Sequence, residues 1–250
     1  MLRIGQFLIL LLSFEAPAFD GKSLHYEIDW GPVILADLEM ELLAEDPIRS
    51  VKVNIASRGV TTWISEFQSK LEIVMLKGGA RILDGTGKWG DSLSNITVSW
   101  LPDQSEPLVD LYRSKPRKYA LTPLPPGSTG GTVDPFTPLF EISAKLAQGG
   151  ACKGDYRVFD GVRRYDLVIT NGGQVSLPDG TPSVVGEIGF VCDVELTKIG
   201  GFSARRGLFS SSEAEITRTV WFGNLRNHWI PVRVEVNSPF GAIVARFIEP

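Results

Sequence analysis

Histidine and cysteine are both scarce in this 250-residue chain, with two of each. The histidines, His25 and His228, offer few chances for a Ser-His or Cys-His base, and no G-x-S-x-G nucleophile elbow is present. Neither histidine lies near a cysteine in sequence, so no metal site and no cofactor are expected. Net charge is −4 with no strongly basic block, which argues against a nucleic-acid partner, because such a partner needs phosphate-neutralising cations. Beyond the first residues no segment is long and apolar enough to cross a bilayer, so stable membrane insertion of the mature chain is not expected. Gly78-Gly79 and Gly200-Gly201 lack the strand–glycine–helix context of a phosphate loop.

What is present begins with an export signal. Arg3 supplies a short positive region. Ile4 and Phe7 to Leu12 form an apolar stretch, and Ala16-Pro17-Ala18 fits a small-x-small cleavage site. The reading is a leader over 1–18, cleaved after Ala18 and followed by one β-rich domain over 19–250; an N-terminal membrane anchor is the alternative, which Glu15 and Pro17 directly after the run disfavour. Hydrophobic residues make up 43% of the chain, enough for a sizeable core. An exported chain meets an oxidising compartment, where Cys152 and Cys192 most simply form one disulfide; two buried free thiols are the alternative.

The mature chain reads mostly as strands. Leu24, Tyr26 and Ile28 alternate with His25, Glu27 and Asp29, and Leu38, Met40 and Leu42 alternate with Asp37, Glu39 and Glu41. This period of two marks half-buried strands, with Gly31-Pro32 as the turn between them. Further strands are expected at 51–56, 61–67, 71–76 and 80–83, the last two flanking a Gly78-Gly79 hairpin turn. Later strands are expected at 184–197, 215–222, 229–236 and 242–247. The Pro- and Gly-rich stretch 123–131 reads as a surface connection.

One helix is expected, from about Pro138 to Gln148, with Thr137 as N-cap and Gly149-Gly150 as its stop. Phe136, Leu139, Phe140, Ser143, Leu146 and Ala147 fall at helical spacing and give it one largely apolar stripe, which the sheet must cover. A hairpin follows, with Asp160-Gly161 as a two-residue turn. That turn places Arg157 opposite Arg164 and Asp155 opposite Asp166 on one face, and Tyr156 with Tyr165 on the other. The four charges read either as a solvated salt-bridge ladder or as an anion-binding patch of arginine forks. The six tryptophans read as core and rim more readily than as a sugar-stacking platform, and His228, beside Trp229 at a strand start, as structural.

Several runs resemble the exported family called domain of unknown function 3108. They are Leu24 to Ile28 with Trp30-Gly31, Asp134-Pro135 through Cys152, Val158 to Gly161, Arg164 to Leu167, Ile199 to Phe202, Trp221-Phe222, Ile230 to Arg233 and Phe240-Gly241. The segment Phe202 to Arg206 is more basic than that pattern. The family is similar in design to periplasmic β-spiral proteins of envelope integrity and, in fold, to periplasmic lipoprotein carriers. The resemblance implies a mainly β fold, in which a curved antiparallel sheet forms an open barrel or spiral around one central helix. It also implies a non-catalytic periplasmic protein supporting the envelope, whose concave sheet binds an apolar ligand or a protein partner. The competing reading is a carboxylate-dependent hydrolase of envelope polymers.

Overall fold

The computed structural model describes residues 23–45, 48–204, 216–239 and 241–248. The leader and its cleavage position, and Phe240 of the resemblance, lie outside these residues. Thirteen antiparallel strands form one sheet. The first seven are β1 (Ser23–Trp30), β2 (Val33–Glu45), β3 (Ile48–Ser57), β4 (Phe67–Met75), β5 (Arg81–Trp89), β6 (Ser92–Trp100) and β7 (Leu108–Arg113). The other six are β8 (Gly154–Phe159), β9 (Arg164–Ser176), β10 (Ile188–Gly200), β11 (Thr217–Leu225), β12 (His228–Ser238) and β13 (Gly241–Ile248). Each half is a meander in sequence order, and the two join where β1 pairs with β13. The sheet's terminal strands are β7 and β8, which do not pair, so the barrel is open.

Alternation decides which face is buried. On β2, Ala36, Leu38, Met40 and Leu42 point one way and Asp37, Glu39 and Glu41 the other. In register, Leu24, Met40, Val53, Leu71, Gly85, Ile96 and Leu111 form a lateral row from β1 to β7. A neighbouring row runs Leu42, Val51, Ile73, Leu83, Val98 and Val109. These rows carry half of the buried residues of the main core, which also takes in Tyr26, Trp100, Phe159, Ile230 and Phe247.

Helix α2 (Thr137–Ala147) packs against this concave face. Phe136, Leu139 and Phe140 reach the main core, while Ile142 and Leu146 pack with Tyr156, Val158, Ile169 and Phe222 in a second cluster. The Ser143 hydroxyl donates to the Trp229 carbonyl and ties the helix to β12. The helix starts where expected, but its cap comes from Asp134. The fully buried Oδ1 accepts from the Phe136 and Thr137 amides at 2.8 and 2.9 Å, and Oδ2 accepts from the Thr137 hydroxyl. At the other end the Gly150 amide donates to the Lys145 carbonyl at 2.8 Å, past Gly149 at φ +73°.

Two expected strands differ. Residues 61–65 form a short helix, α1 (Thr61–Ser65), because Gly59 at φ +66° turns the chain out of β3. The Thr61 hydroxyl then reaches the carbonyls of Leu35 and Arg58, and the Thr62 hydroxyl that of Gly59, which locks the turn despite the β-branched run. Val184 lies in a single 3-10 turn, Ser183–Val185, ahead of β10.

The Cys152–Cys192 disulfide is formed, with Cα atoms 5.8 Å apart and both residues fully buried in the second cluster. It joins the segment between α2 and β8 to β10. The Gly31-Pro32 and Gly78-Gly79 turns stand as read, with Leu76 N–H donating to the Ala80 carbonyl at 2.9 Å.

Candidate functional site

The Asp160-Gly161 turn is longer than two residues. Phe159 pairs with Arg164 and the Asp160 amide donates to the Arg163 carbonyl, so four residues form the connection. The Asp160 carboxylate drives this. Its Oδ1 accepts from the amides of Val162 (3.0 Å) and Arg163 (2.6 Å), and its Oδ2 from Arg163 Nε (2.6 Å). Gly161, at φ +86°, lets the turn press on β6: a Cβ there would sit 2.4 Å from an Ile96 methyl and 2.5 Å from a Val98 methyl.

The register therefore slips by two residues. A slip of two keeps every side chain on its face, so Asp155, Arg157, Arg164 and Asp166 still share one face while their partners change. Arg157 faces Asp166, Asp155 faces Val168, and Tyr156 faces Leu167 instead of Tyr165. Arg157 Nη2 (3.2 Å) and Arg164 Nε (2.9 Å) both donate to the Ser128 carbonyl. Arg164 is 3% exposed, and its Nη1 lies 2.6 Å from Asp166 Oδ1 without hydrogen-bond alignment. Asp166 thus lies beside Arg164 and across from Arg157, while both arginines turn to the Ser128 carbonyl. The two arginines clamp the 123–131 loop over the barrel's gap, aided by Val133, which pairs in parallel with Val158 on the free edge of β8.

At the other margin of the gap the core rows come into the open. Val98 is fully buried, but its lateral neighbour Val109 on β7 is 43% exposed, and beside it Leu111 is 41% exposed. Phe67 and Trp89 stack on the same concave face, with ring centroids 5.4 Å apart. Gly85 and Gly87 leave β5 without side chains between these groups. The next position along β7 is Arg113, whose Nε is buried with no hydrogen-bond partner among the described residues. The result is a half-open apolar mouth with a guanidinium at its rim. Sequence reading missed both β6 and β7. The signal was present in Ile96, Val98 and Trp100 alternating with Asn95, Thr97 and Ser99, and in Val109 and Leu111 flanking Asp110.

The chain continues from β7 as Arg113-Ser114-Lys115-Pro116-Arg117-Lys118, a compact basic segment that the overall charge of −4 conceals and that corrects the expectation of none. Partial burial, then the neighbouring charges of Arg113 and Arg163, push the Arg117 pKa down against an opposing effect of Asp160. The cations are therefore crowded at this margin.

The carboxylates lining two outer clefts are tied up or lie side by side. An outer-face cleft of about 550 Å³ is lined by Asp29, Trp30, Arg233, Val244 and Arg246. Arg246 Nε donates to Asp29 at 3.0 Å, and Arg233 holds Glu235 through Nε and Nη2 at 3.1 and 2.8 Å. Burial raises the Glu235 pKa, but hydrogen bonds from Arg233 and Asn237 and the Arg233 charge outweigh it, leaving a carboxylate unsuited to donating a proton at neutral pH. In a second cleft Asp193 and Glu195 occupy one face of one strand, and Asp193 accepts from the Thr219 hydroxyl at 3.3 Å. His25 pairs with Glu39 and Ile248 across the sheet; His228 pairs with Leu225 at the start of β12, and burial lowers its pKa. Trp100 is buried, whereas Trp63 and Trp89 stand exposed.

No protein-family model matches the chain, and no curated protein matches it. The resemblance to domain of unknown function 3108 therefore gains no support from these comparisons. In three dimensions the chain is similar to the crystal structure of a β-barrel-like protein of domain of unknown function DUF1849 from Brucella abortus. The TM-score is 0.54 at 9% identity, over 91% of this chain and 95% of that one. At that identity the likeness shows a shared β-barrel-like fold and nothing of activity.

Proposed function

We propose that this is a non-catalytic periplasmic binding protein of the cell envelope, holding an acyl-chain amphiphile with an acidic head in the mouth beside β7. One observation carries the reading: the apolar rows that build the core run on, in register, to Val109 and Leu111, which are 43% and 41% exposed. A continuous strip that is dry at one end and open at the other suits an extended hydrocarbon chain. Arg113 sits where the head of such a chain would emerge, and its guanidinium suits a carboxylate or phosphate. The leader and the disulfide support an oxidising, exported setting.

The test is titration with an environment-sensitive fluorescent fatty acid. The wild type is expected to bind it. Leu111→Asp places a charge on the strip and should weaken binding by about tenfold or more, and Arg113→Ala by several-fold. Absence of wild-type binding, or unchanged affinity in Leu111→Asp, would refute the proposal.

A further inference from the structure

The strand connections gather three features at one end of the half-barrel. They are α1, between β3 and β4; the Gly90-Asp91 turn, between β5 and β6; and the basic segment 113–118, which leaves β7. Contacts lock them side by side. Gly90 N–H donates to the Glu66 carbonyl at 2.9 Å, and Lys88 pairs with Glu66 at 3.3 Å. Ser114 N–H donates to the Leu93 carbonyl at 2.9 Å, and Lys115 lies 3.6 Å from Asp91. From β4 to β7 this rim spans three inter-strand spacings, roughly 14 Å.

Much of its apolar surface is uncovered among the described residues. Trp63 is 91% exposed at the tip of α1, Val60 beside it is 56% exposed, and Leu93 projects from the outer face of β6 at 51%. A five-residue helix that spends its one tryptophan on solvent gains nothing in stability from it. Tryptophan does gain by sitting at a membrane–water boundary, where its ring is apolar and its N–H stays wet. Along the same rim Arg113, Lys115, Arg117 and Lys118 follow within six residues, and Arg163 comes close to Arg117.

We propose that this end of the half-barrel docks on the surface of an anionic lipid bilayer, with Trp63 and Val60 at headgroup depth and Lys115, Arg117 and Lys118 against lipid phosphates. The pairing of an aromatic tip with adjacent cations is what peripheral binding requires, since either signal alone is weak. The net charge of −4 does not prevent it. Charges farther than a Debye length of about 8–10 Å from the lipid are screened, so the basic rim governs the approach. The docking residues lie outside the Val109–Leu111 strip, so the inference stands apart from the ligand proposed there.

The experiment is flotation of the disulfide-intact protein with phosphatidylcholine vesicles, with and without phosphatidylglycerol. The wild type is expected to float with the anionic vesicles and to be released by added salt. Neutralising Lys115, Arg117 and Lys118 to Ala should cost roughly fivefold in partitioning per cation, about a hundredfold together. Trp63→Ala should cost roughly tenfold on the same vesicles. Both variants should keep the wild-type melting temperature and bind the fatty-acid probe unchanged, because the altered side chains are exposed and outside the strip. A wild type that stays with the pellet, or variants that float as well as it does, would overturn the proposal. So would a photo-cross-linker at position 63 that captures a periplasmic protein while the vesicles remain unbound.

Discussion

Removing the Cys152–Cys192 bridge should destabilise the protein by about 4 kcal/mol. The bond closes a loop with a sequence separation of 40, and the chain-entropy relation gives roughly 13 cal/mol/K, or about 4 kcal/mol at room temperature. Cys→Ala is the cleaner substitution, because both positions are fully buried among Ile142, Leu146, Val158 and Phe222, where a serine hydroxyl would add about 1–3 kcal/mol of unsatisfied polarity. Guanidinium unfolding followed by tryptophan fluorescence reads the loss. With a slope of about 5 kcal/mol/M, the midpoint should fall by roughly 0.8 M. Reductant should shift the wild type by a similar amount and leave the double alanine variant unmoved. The two single variants should each lose about as much as the double, since all three remove the same bond. Single-variant losses that add, or alkylation of both thiols in unreduced denatured protein, would refute the reasoning.

Asp134→Ala should cost about 3 kcal/mol in a thermal or urea melt. It strips two amides and a hydroxyl at the start of α2 of their acceptor and leaves Arg81, 3.8 Å away, without its buried counter-charge. Glu235 has a pKa held below its ordinary 4.5, so its contribution should be complete above that pH and fade as pH falls through the lower folded value. The stability gap between wild type and Glu235→Gln, followed by urea titration, should therefore narrow only on the acid side of 4.5.

Local chemistry made part of this fold legible and long-range pairing hid the rest. The period-2 alternation of β1 and β2, the glycine turns and the apolar stripe of α2 each depend on neighbours in sequence, and each reads directly. The Thr61 to Phe67 segment misleads, because its β-branched residues favour a strand while Gly59 and three hydroxyl bonds impose a turn. Asp160 misleads in a similar way: Asp-Gly suggests two residues, but the carboxylate also gathers the next two amides. The candidate site was least visible. Nothing local to Val109 and Leu111 says that β7 ends the sheet and leaves them partly exposed; that depends on the order of thirteen strands. The capping role of Asp134 was hidden for a related reason, since it acts from three residues before the helix.

The junction of the two meanders sets a timetable for folding. β1 lies in the middle of the sheet, yet one of its two neighbours is β13, and the Asp29–Arg246 contact spans 217 residues. A chain emerging amino end first can zip β1 through β7 as it appears, but β1 keeps a bare edge until almost everything else has arrived. Contacts this remote are slow to form, and an unpaired strand edge invites the wrong partner in the meantime. The last strand therefore acts as a latch, and a nascent or truncated chain lacking it would present its most central strand to any chaperone, or any aggregate, within reach.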